Sequence, residues 1–455
     1  MMRLKQLRAS LRSSLWFTPA LMVAAGIALA AGLIEADTRV SGELLAAWPR
    51  LFGAGADGSR GMLTAIASSM ITVAGVTFSI TIVALSLAST QYTPRVLRNF
   101  MADRTNQLVL GFFVGIFTYC LVVLRTIRGG DEGRFIPSLA VAFGFVLALV
   151  GVGVLILFIH HIATSIQASH VISSVAGETI RSIERLFPEE LGGGAAEDET
   201  RATVGWDESG AQWREVPSLK TGYIQDVDAD ALLRFARKRG VVVRMERRIG
   251  EFVAGGSPLV SLSAGGTPDG QAAEELNAVF SINHTRTVEQ DAAFGIRQLV
   301  DIALKALSPG INDTTTAATC VDYLSSILSA LARKRVESRY RADGGGLRVI
   351  AAGPTFAGLV AASFDQIRQN AEGNVAVLGR MLGAVERLAG RTHSAHRRRV
   401  LLQHARLFAE TAERSVKAEH DRAQVRDAFR RALAALGEEA GGRELTSHAK
   451  GGAQL

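Results

Sequence analysis

Gly61-Met-Leu-Thr-Ala-Ile-Ala-Ser-Ser-Met-Ile-Thr-Val-Ala-Gly-Val-Thr-Phe-Ser-Ile-Thr-Ile-Val-Ala-Leu-Ser-Leu-Ala-Ser-Thr90 contains no Asp, Glu, Lys or Arg. Such a run exceeds the roughly 20 apolar residues a helix needs to cross the hydrocarbon of a bilayer. Three more uncharged stretches accompany it: about Trp16 to Leu33, about Gln107 to Leu124, and one from Pro137 past His160. Together they account for a mean hydropathy of +0.21. They predict an integral membrane α-helical domain of four transmembrane helices over 1–165. Arg3, Lys5, Arg8 and Arg12 ahead of the first run would also suit a signal peptide. Its apolar run is long for that role and three spans follow, so a retained anchor is expected.

Basic loops set orientation. Lys and Arg precede the first span without an acid, and Arg95, Arg98 and Arg104 follow the second against only Asp103. Both termini are therefore expected in the cytoplasm. The net charge of +7 suits juxtamembrane arginines at an anionic leaflet. Arg95, Arg98 and Arg104 are candidates for contact with lipid phosphates or with the cytoplasmic domain. No basic patch with interleaved aromatics appears, so no nucleic-acid partner is expected. Cys120 and Cys320, the two cysteines, have no metal-binding spacing.

Within Gly61–Thr90, the residues Thr64, Ser68, Thr72, Gly75, Ser79, Ser86 and Thr90 fall within about 40° of one line at 100° per residue. Lipid gains nothing from hydroxyls and glycine, so this stripe faces protein or water. Two readings stand: close helix packing with hydroxyls bonded to their own carbonyls, or the wall of a solute path. Gly111 and Gly115 in the third span, and Ala140, Gly144, Ala148 and Gly151 in the fourth, form small-xxx-small patterns that let helices approach closely. His160 and His161 are adjacent and do not share a helix face, which argues against a metal site from that pair.

The remainder predicts a cytoplasmic α+β region, mostly helical with a small β-rich module. Residues 166–187 extend the fourth span as helix. Residues 188–213, with three glycines in a row and Glu197-Asp198-Glu199, read as a linker. A β-rich module over 214–263 holds strands at Gly222–Asp228 and Val241–Arg244. It also holds Ile249-Gly-Glu-Phe-Val-Ala-Gly-Gly-Ser-Pro-Leu-Val-Ser-Leu262, which resembles a half-motif of biotinyl/lipoyl-like barrel-sandwich domains. The carrier lysine of those domains has no counterpart here, so no cofactor is expected. A mainly helical domain spans 271–440. In it Leu347–Ala352 reads as a strand, Phe356 to about Ala389 as helix, and Ser394–His420 and Ala423–Leu436 as basic amphipathic helices. Residues 441–455 read as a disordered tail.

His284 to Cys320 is the densest part of the soluble region. Thr287 with Gln290 predicts a capping-box start, and Ala292, Ile296, Leu299, Ala303 and Leu307 recur at helical spacing. Ser308-Pro309-Gly310 stops that helix, and Asn312 or Asp313 caps the next. The polar residues Arg286, Asp291, Arg297, Asp301, Asn312 and Asp313 form a candidate functional cluster. On one helix Asp291 and Asp301 would lie about 15 Å apart along the axis, too far for paired acid/base work. No nucleophile elbow, P-loop, metal signature or Rossmann fingerprint is present, so no catalytic residue is assigned.

Gly75-Val-Thr-Phe-Ser-Ile, Tyr92-Thr-Pro-Arg95, Arg286-Thr-x-x-x-Asp291-x-x-Phe294-Gly295 and Ala306-Leu-Ser-Pro-Gly-Ile-Asn-Asp313 together resemble the bacterial membrane protein family called domain of unknown function 2254. The resemblance covers roughly Trp16 to Glu372. It departs at Thr314, where proline is expected. It implies an integral membrane protein with a cytoplasmic domain and supplies no activity. Three functions fit the sequence. The first is a homo-oligomeric channel or transporter-like protein with a cytoplasmic gating or sensing domain. The second is a membrane-anchored scaffold or regulator with a cytoplasmic protein partner. The third is an enzyme at the membrane face.

Overall fold

The structure, a computed structural model, describes residues 16–39, 55–91, 103–128, 135–186, 212–263, 270–288, 291–334, 340–343 and 346–438. The chain divides into two compact units, Met1–Val171 and Ile172–Leu455. Tyr92-Thr-Pro-Arg95, Arg98, Glu197-Asp198-Glu199 and the tail from 441 lie outside the described residues.

The first unit is built of α1 (Phe17–Arg39), α2 (Ala56–Gln91), α3 (Arg104–Thr126) and α4 (Ser138–Ser165). Each is long and apolar enough to cross a membrane. Helix α3 packs against each of the others, and buries Phe113, Ile116, Tyr119 and Val123. The small-residue patterns work inside the subunit. Met22 of α1 lies against Gly111 and Gly115, while Gly26 approaches the Gly115 carbonyl. Gly144 and Gly151 of α4 receive Leu63 and Met70 of α2.

Polar residues pin the bundle where spans end. Asp103 caps α3 by accepting from the Thr105 N–H at 2.9 Å and meets His161 Nε2 at 2.6 Å. The first residue of α4 follows Pro137, which offers no side-chain cap. Asp37 of α1 supplies one, accepting from the Leu139 and Ala140 N–H groups at 3.1 Å each. A carboxylate there also suits the positive end of the helix dipole.

The second unit begins within α5 (Ala168–Leu186), whose apolar face, Ile172, Val175, Ala176 and Ile183, is buried. Strands β1 (Trp213–Pro217) and β2 (Gly222–Val227) are followed by α6 (Ala229–Arg239), capped by Asp228 and ended by left-handed Gly240. Then come β3 (Val243–Met245), β4 (Phe252–Val253), β5 (Pro258–Ser263), α7 (Gly270–Val279) and β6 (Phe280–Asn283). The hairpin helices α8 (Ala292–Ala306) and α9 (Thr314–Ala332) precede β7 (Tyr340–Asp343) and β8 (Gly346–Ile350). Helices α10 (Phe356–Asn370), α11 (Val375–Ala389), α12 (Ala395–Ser415) and α13 (Glu419–Leu436) complete the chain as described.

The strands form a five-stranded sheet, β1-β5-β3-β8-β7, and a three-stranded sheet, β4-β2-β6. Strands β3 and β8 are parallel, a pairing that needs a long crossover. The α8–α9 hairpin lies in that crossover, so the sheet and the hairpin are one structural problem. Strands β6, β7 and β8, all beyond residue 263, join the sheets of the β-rich region. Ile224, Phe235, Val243, Leu259, Val260 and Leu276 fill its core.

Two local expectations change. The helix predicted from Phe356 to Ala389 is two helices, because Gly373 takes φ 74° and Asn374 caps α11 through the Val377 N–H. Helix α8 starts at Asp291, whose carboxylate accepts from the Phe294 N–H at 3.1 Å, rather than at Thr287. A carboxylate next to the first turn displaces the weaker hydroxyl cap. Gln290, the other half of that capping box, lies outside the described residues.

Candidate functional site

Helix α2 turns its apolar face inward, burying Leu63, Ile66, Ala67, Met70 and Ala74. Thr64, Ser68, Thr72, Gly75, Ser79, Ser86 and Thr90 are all exposed. Thr72 donates to the Ser68 carbonyl at 2.8 Å, Ser79 to Gly75 at 2.9 Å and Thr90 to Ser86 at 3.1 Å. These hydroxyls satisfy themselves within the helix. A Cβ added to Gly75 would meet nothing within 4 Å. The stripe is therefore not used for packing inside the subunit. Beyond Thr77 the helix leaves the bundle on most sides, with Ile80, Ile82, Val83 and Leu87 exposed. Thr77 itself is buried, and its hydroxyl has no hydrogen-bond partner among the described residues. Arg104, the first residue of α3, is exposed.

The hairpin polars fall into three places rather than one cluster. At the start of α8, Arg286 Nε and Nη2 donate to Asp291 Oδ2 at 2.9 and 2.6 Å, while its guanidinium lies over the Phe294 ring. Asp291 is only 5 % exposed. Burial pushes its carboxyl above the usual carboxylate range, against the opposing pull of Arg286 and of the α8 N–H groups. In mid-helix, Arg297 pairs with Asp301 at 2.8 Å and donates to Gln366 of α10 at 2.7 Å. At the turn, Asp313 caps α9 by accepting from the N–H and hydroxyl of Thr316. Those bonds hold its carboxyl below the usual range. Asn312 is exposed at φ 51°, a left-handed conformation that asparagine tolerates.

Two contacts that periodicity did not reveal make the Arg286–Asp291 pair a junction. Gly250, at φ 87°, lies against it: a Cβ there would be 2.1 Å from Asp291 Oδ2 and 2.8 Å from Arg286 Nη2. One turn into α8, a Cβ on Gly295 would meet Thr179 of α5 at 1.9 Å from Oγ1 and 2.9 Å from Cβ and Cγ2. Ser182, also on α5, donates to the Val288 carbonyl at 2.7 Å. The start of α8 thus carries α5 on one side and the β-rich region on the other. The spacing of Arg286, Asp291, Phe294 and Gly295 serves this junction. The only hint in sequence was a glycine within a helical pattern, which usually marks close approach.

Gly295→Ala is expected to destabilise the α5–α8 contact by about 1–3 kcal/mol. No Thr179 rotamer relieves a clash that includes its Cβ. Hydrogen exchange in α5 should rise in the variant and recover in Gly295→Ala/Thr179→Gly; unchanged exchange would show that this contact does not hold α5 on α8.

Among the described residues, no group of three His, Cys, Asp or Glu side chains is placed to hold a metal. The family of predicted membrane proteins called domain of unknown function 2254 (DUF2254) matches residues 12–387. An uncharacterized protein of Mycobacterium tuberculosis is 33% identical over 437 residues, covering 94% of this chain and 82% of its own length. A similar protein of Mycobacterium bovis is 32% identical over the same length and coverage. No solved structure matches the chain. With the match running from the first span through α10 and into α11, the chain belongs to the DUF2254 family of predicted membrane proteins.

Proposed function

We propose that the chain forms a homo-oligomeric channel or transporter-like protein of the bacterial inner membrane, both termini cytoplasmic, with the second unit as its gating or sensing domain. One observation carries this reading: the hydroxyl and glycine stripe of α2 is left open along its length while the apolar side of the same helix packs inward. Hydrocarbon gains nothing from such a surface, whereas a second subunit or a water-filled path does. Helix α5 follows α4 after Ile166 and Gln167 and seats on the start of α8, so a ligand that moves α8 pulls on the fourth span along the chain. Such mechanical coupling is what a gate needs.

The protein reconstituted in liposomes is expected to pass an ion or small solute, with Thr72→Leu and Ser79→Leu lowering the flux about tenfold or more by narrowing the path. Absence of flux under varied gradients and voltages, or a monomer in detergent, would sink the reading. A second reading, a membrane-anchored regulator with a cytoplasmic partner, is favoured by the α8–α9 turn. There Ile311 is 45 % exposed beside left-handed Asn312. Capture of one specific partner, lost in Ile311→Ser, would favour it.

A further inference from the structure

From Arg387 to Ala409 the sequence contains no Asp or Glu, yet holds His393, His396 and the run Arg397-Arg398-Arg399. The structure separates those cations by role. Arg397 donates to the Ala332 and Lys334 carbonyls at 2.8 and 3.0 Å, closing the end of α9, and lies over the Phe356 ring. Arg398 donates to the Ala435 carbonyl at 3.1 Å, near the end of α13. Those two are structural. Arg333, Arg391, His393, His396 and Arg399 are exposed and have no side-chain partner among the described residues. Arg333 is brought to them because Arg397 grips the carbonyls on both sides of it. Elsewhere on the helical surface arginines meet acids: Arg406 with Glu438, Arg414 with Glu372, Arg426 with Glu413 and Glu419, Arg431 with Glu386. A group of cations with no acidic partner among the described residues repels itself and calls for an external polyanion.

We propose that this end of the helical region, formed by the last turn of α9, the α11–α12 turn and the first turns of α12, is a docking surface for anionic lipid headgroups. Charge complementarity selects the partner. The cations are spread over separate elements instead of converging on a pocket, which suits a charged plane better than one phosphate. The chain is also anchored in a bilayer, so weak contacts suffice at the lipid concentration it meets.

The test uses the full chain in phosphatidylcholine nanodiscs, mixed with vesicles of phosphatidylcholine alone or of equimolar phosphatidylcholine and phosphatidylglycerol. Flotation should capture the protein on the phosphatidylglycerol vesicles only. The triple variant Arg333→Ala/Arg391→Ala/Arg399→Ala should bind about a hundredfold more weakly, at about fivefold per arginine. Arg406→Ala, which removes a paired arginine, should bind as the parent does. Equal capture of parent and triple variant overturns the proposal. Displacement by inorganic phosphate beyond the effect of chloride at matched ionic strength would make this a single-phosphate site and also overturn it. Binding of soluble polyglutamate in preference to the vesicles would assign the surface to an acidic protein instead.

Discussion

Gly250→Ala is expected to destabilise the second unit by about 2–5 kcal/mol, the sum of a left-handed backbone and a clash with a buried ion pair. Alanine at φ 87° pays the first part alone, about 1–2 kcal/mol. The second arises because the new Cβ would sit 2.1 Å from Asp291 Oδ2 and 2.8 Å from Arg286 Nη2. The arginine is long and can yield. Asp291 cannot: its other oxygen holds the Phe294 N–H and its side chain is buried. Gly256 is the control, since it is also left-handed, at φ 84°, with nothing near its missing Cβ. Gly256→Ala should therefore show the backbone cost without the clash. Hydrogen exchange in α8 is the suitable readout, because a protein of two units need not unfold in one step. Protection in α8 should fall by about thirtyfold or more in Gly250→Ala and far less in Gly256→Ala. Equal losses would show that contact with the ion pair adds nothing.

The difference between those two glycines also marks what the sequence makes legible. The spans are plain because a bilayer imposes one rule, the absence of charge, over a length that no buried soluble helix needs. Helices α8 and α9 are plain because apolar residues recur at three and four, and Ser308-Pro309-Gly310 interrupts them. Both features are local. Gly250 and Asp291 meet because the Gly250 N–H donates to the Ile224 carbonyl of β2 at 2.8 Å, while β6, paired with β2, runs on into Arg286 and Asp291; these pairings have no signature in the strands. The cap that the sequence puts at Thr287 falls at Asp291 for a related reason. A hydroxyl and a carboxylate both fit the cap pattern, and Arg286, folded back over Phe294, decides between them by fixing Asp291 in place. The α2 stripe shows the converse. Its periodicity was visible, but whether it faced a neighbouring span depended on which side of α2 met α3 and α4, and the apolar side won.

Arg286→Ala is expected to cost about 3–5 kcal/mol near neutral pH, because it leaves the buried Asp291 carboxylate without its cation. The loss should shrink in acid, and the sign follows from the direction of the shift. Burial already raises the Asp291 carboxyl above its unfolded value in the presence of Arg286. Removing the guanidinium raises it further. A carboxyl whose folded value lies above its unfolded one favours the fold fully below the unfolded value, about 3.9. That favour is lost as pH rises through the folded value. The variant therefore loses stability over a window that reaches higher in pH than the parent's, and the two converge where Asp291 is protonated in both. Asp291→Asn should behave differently. Asparagine keeps an acceptor for the α8 N-terminus, and Arg286, whose side chain is 25% exposed, reaches water once its partner is neutral. The asparagine variant should thus be milder than Arg286→Ala, with a loss that depends little on pH above the carboxylate range. Hydrogen exchange of α8 at about pH 7 and about pH 5 in the three proteins separates these outcomes. A pH-independent loss in Arg286→Ala would mean that the arginine matters through its stacking on Phe294, and that the ion pair does not hold the junction.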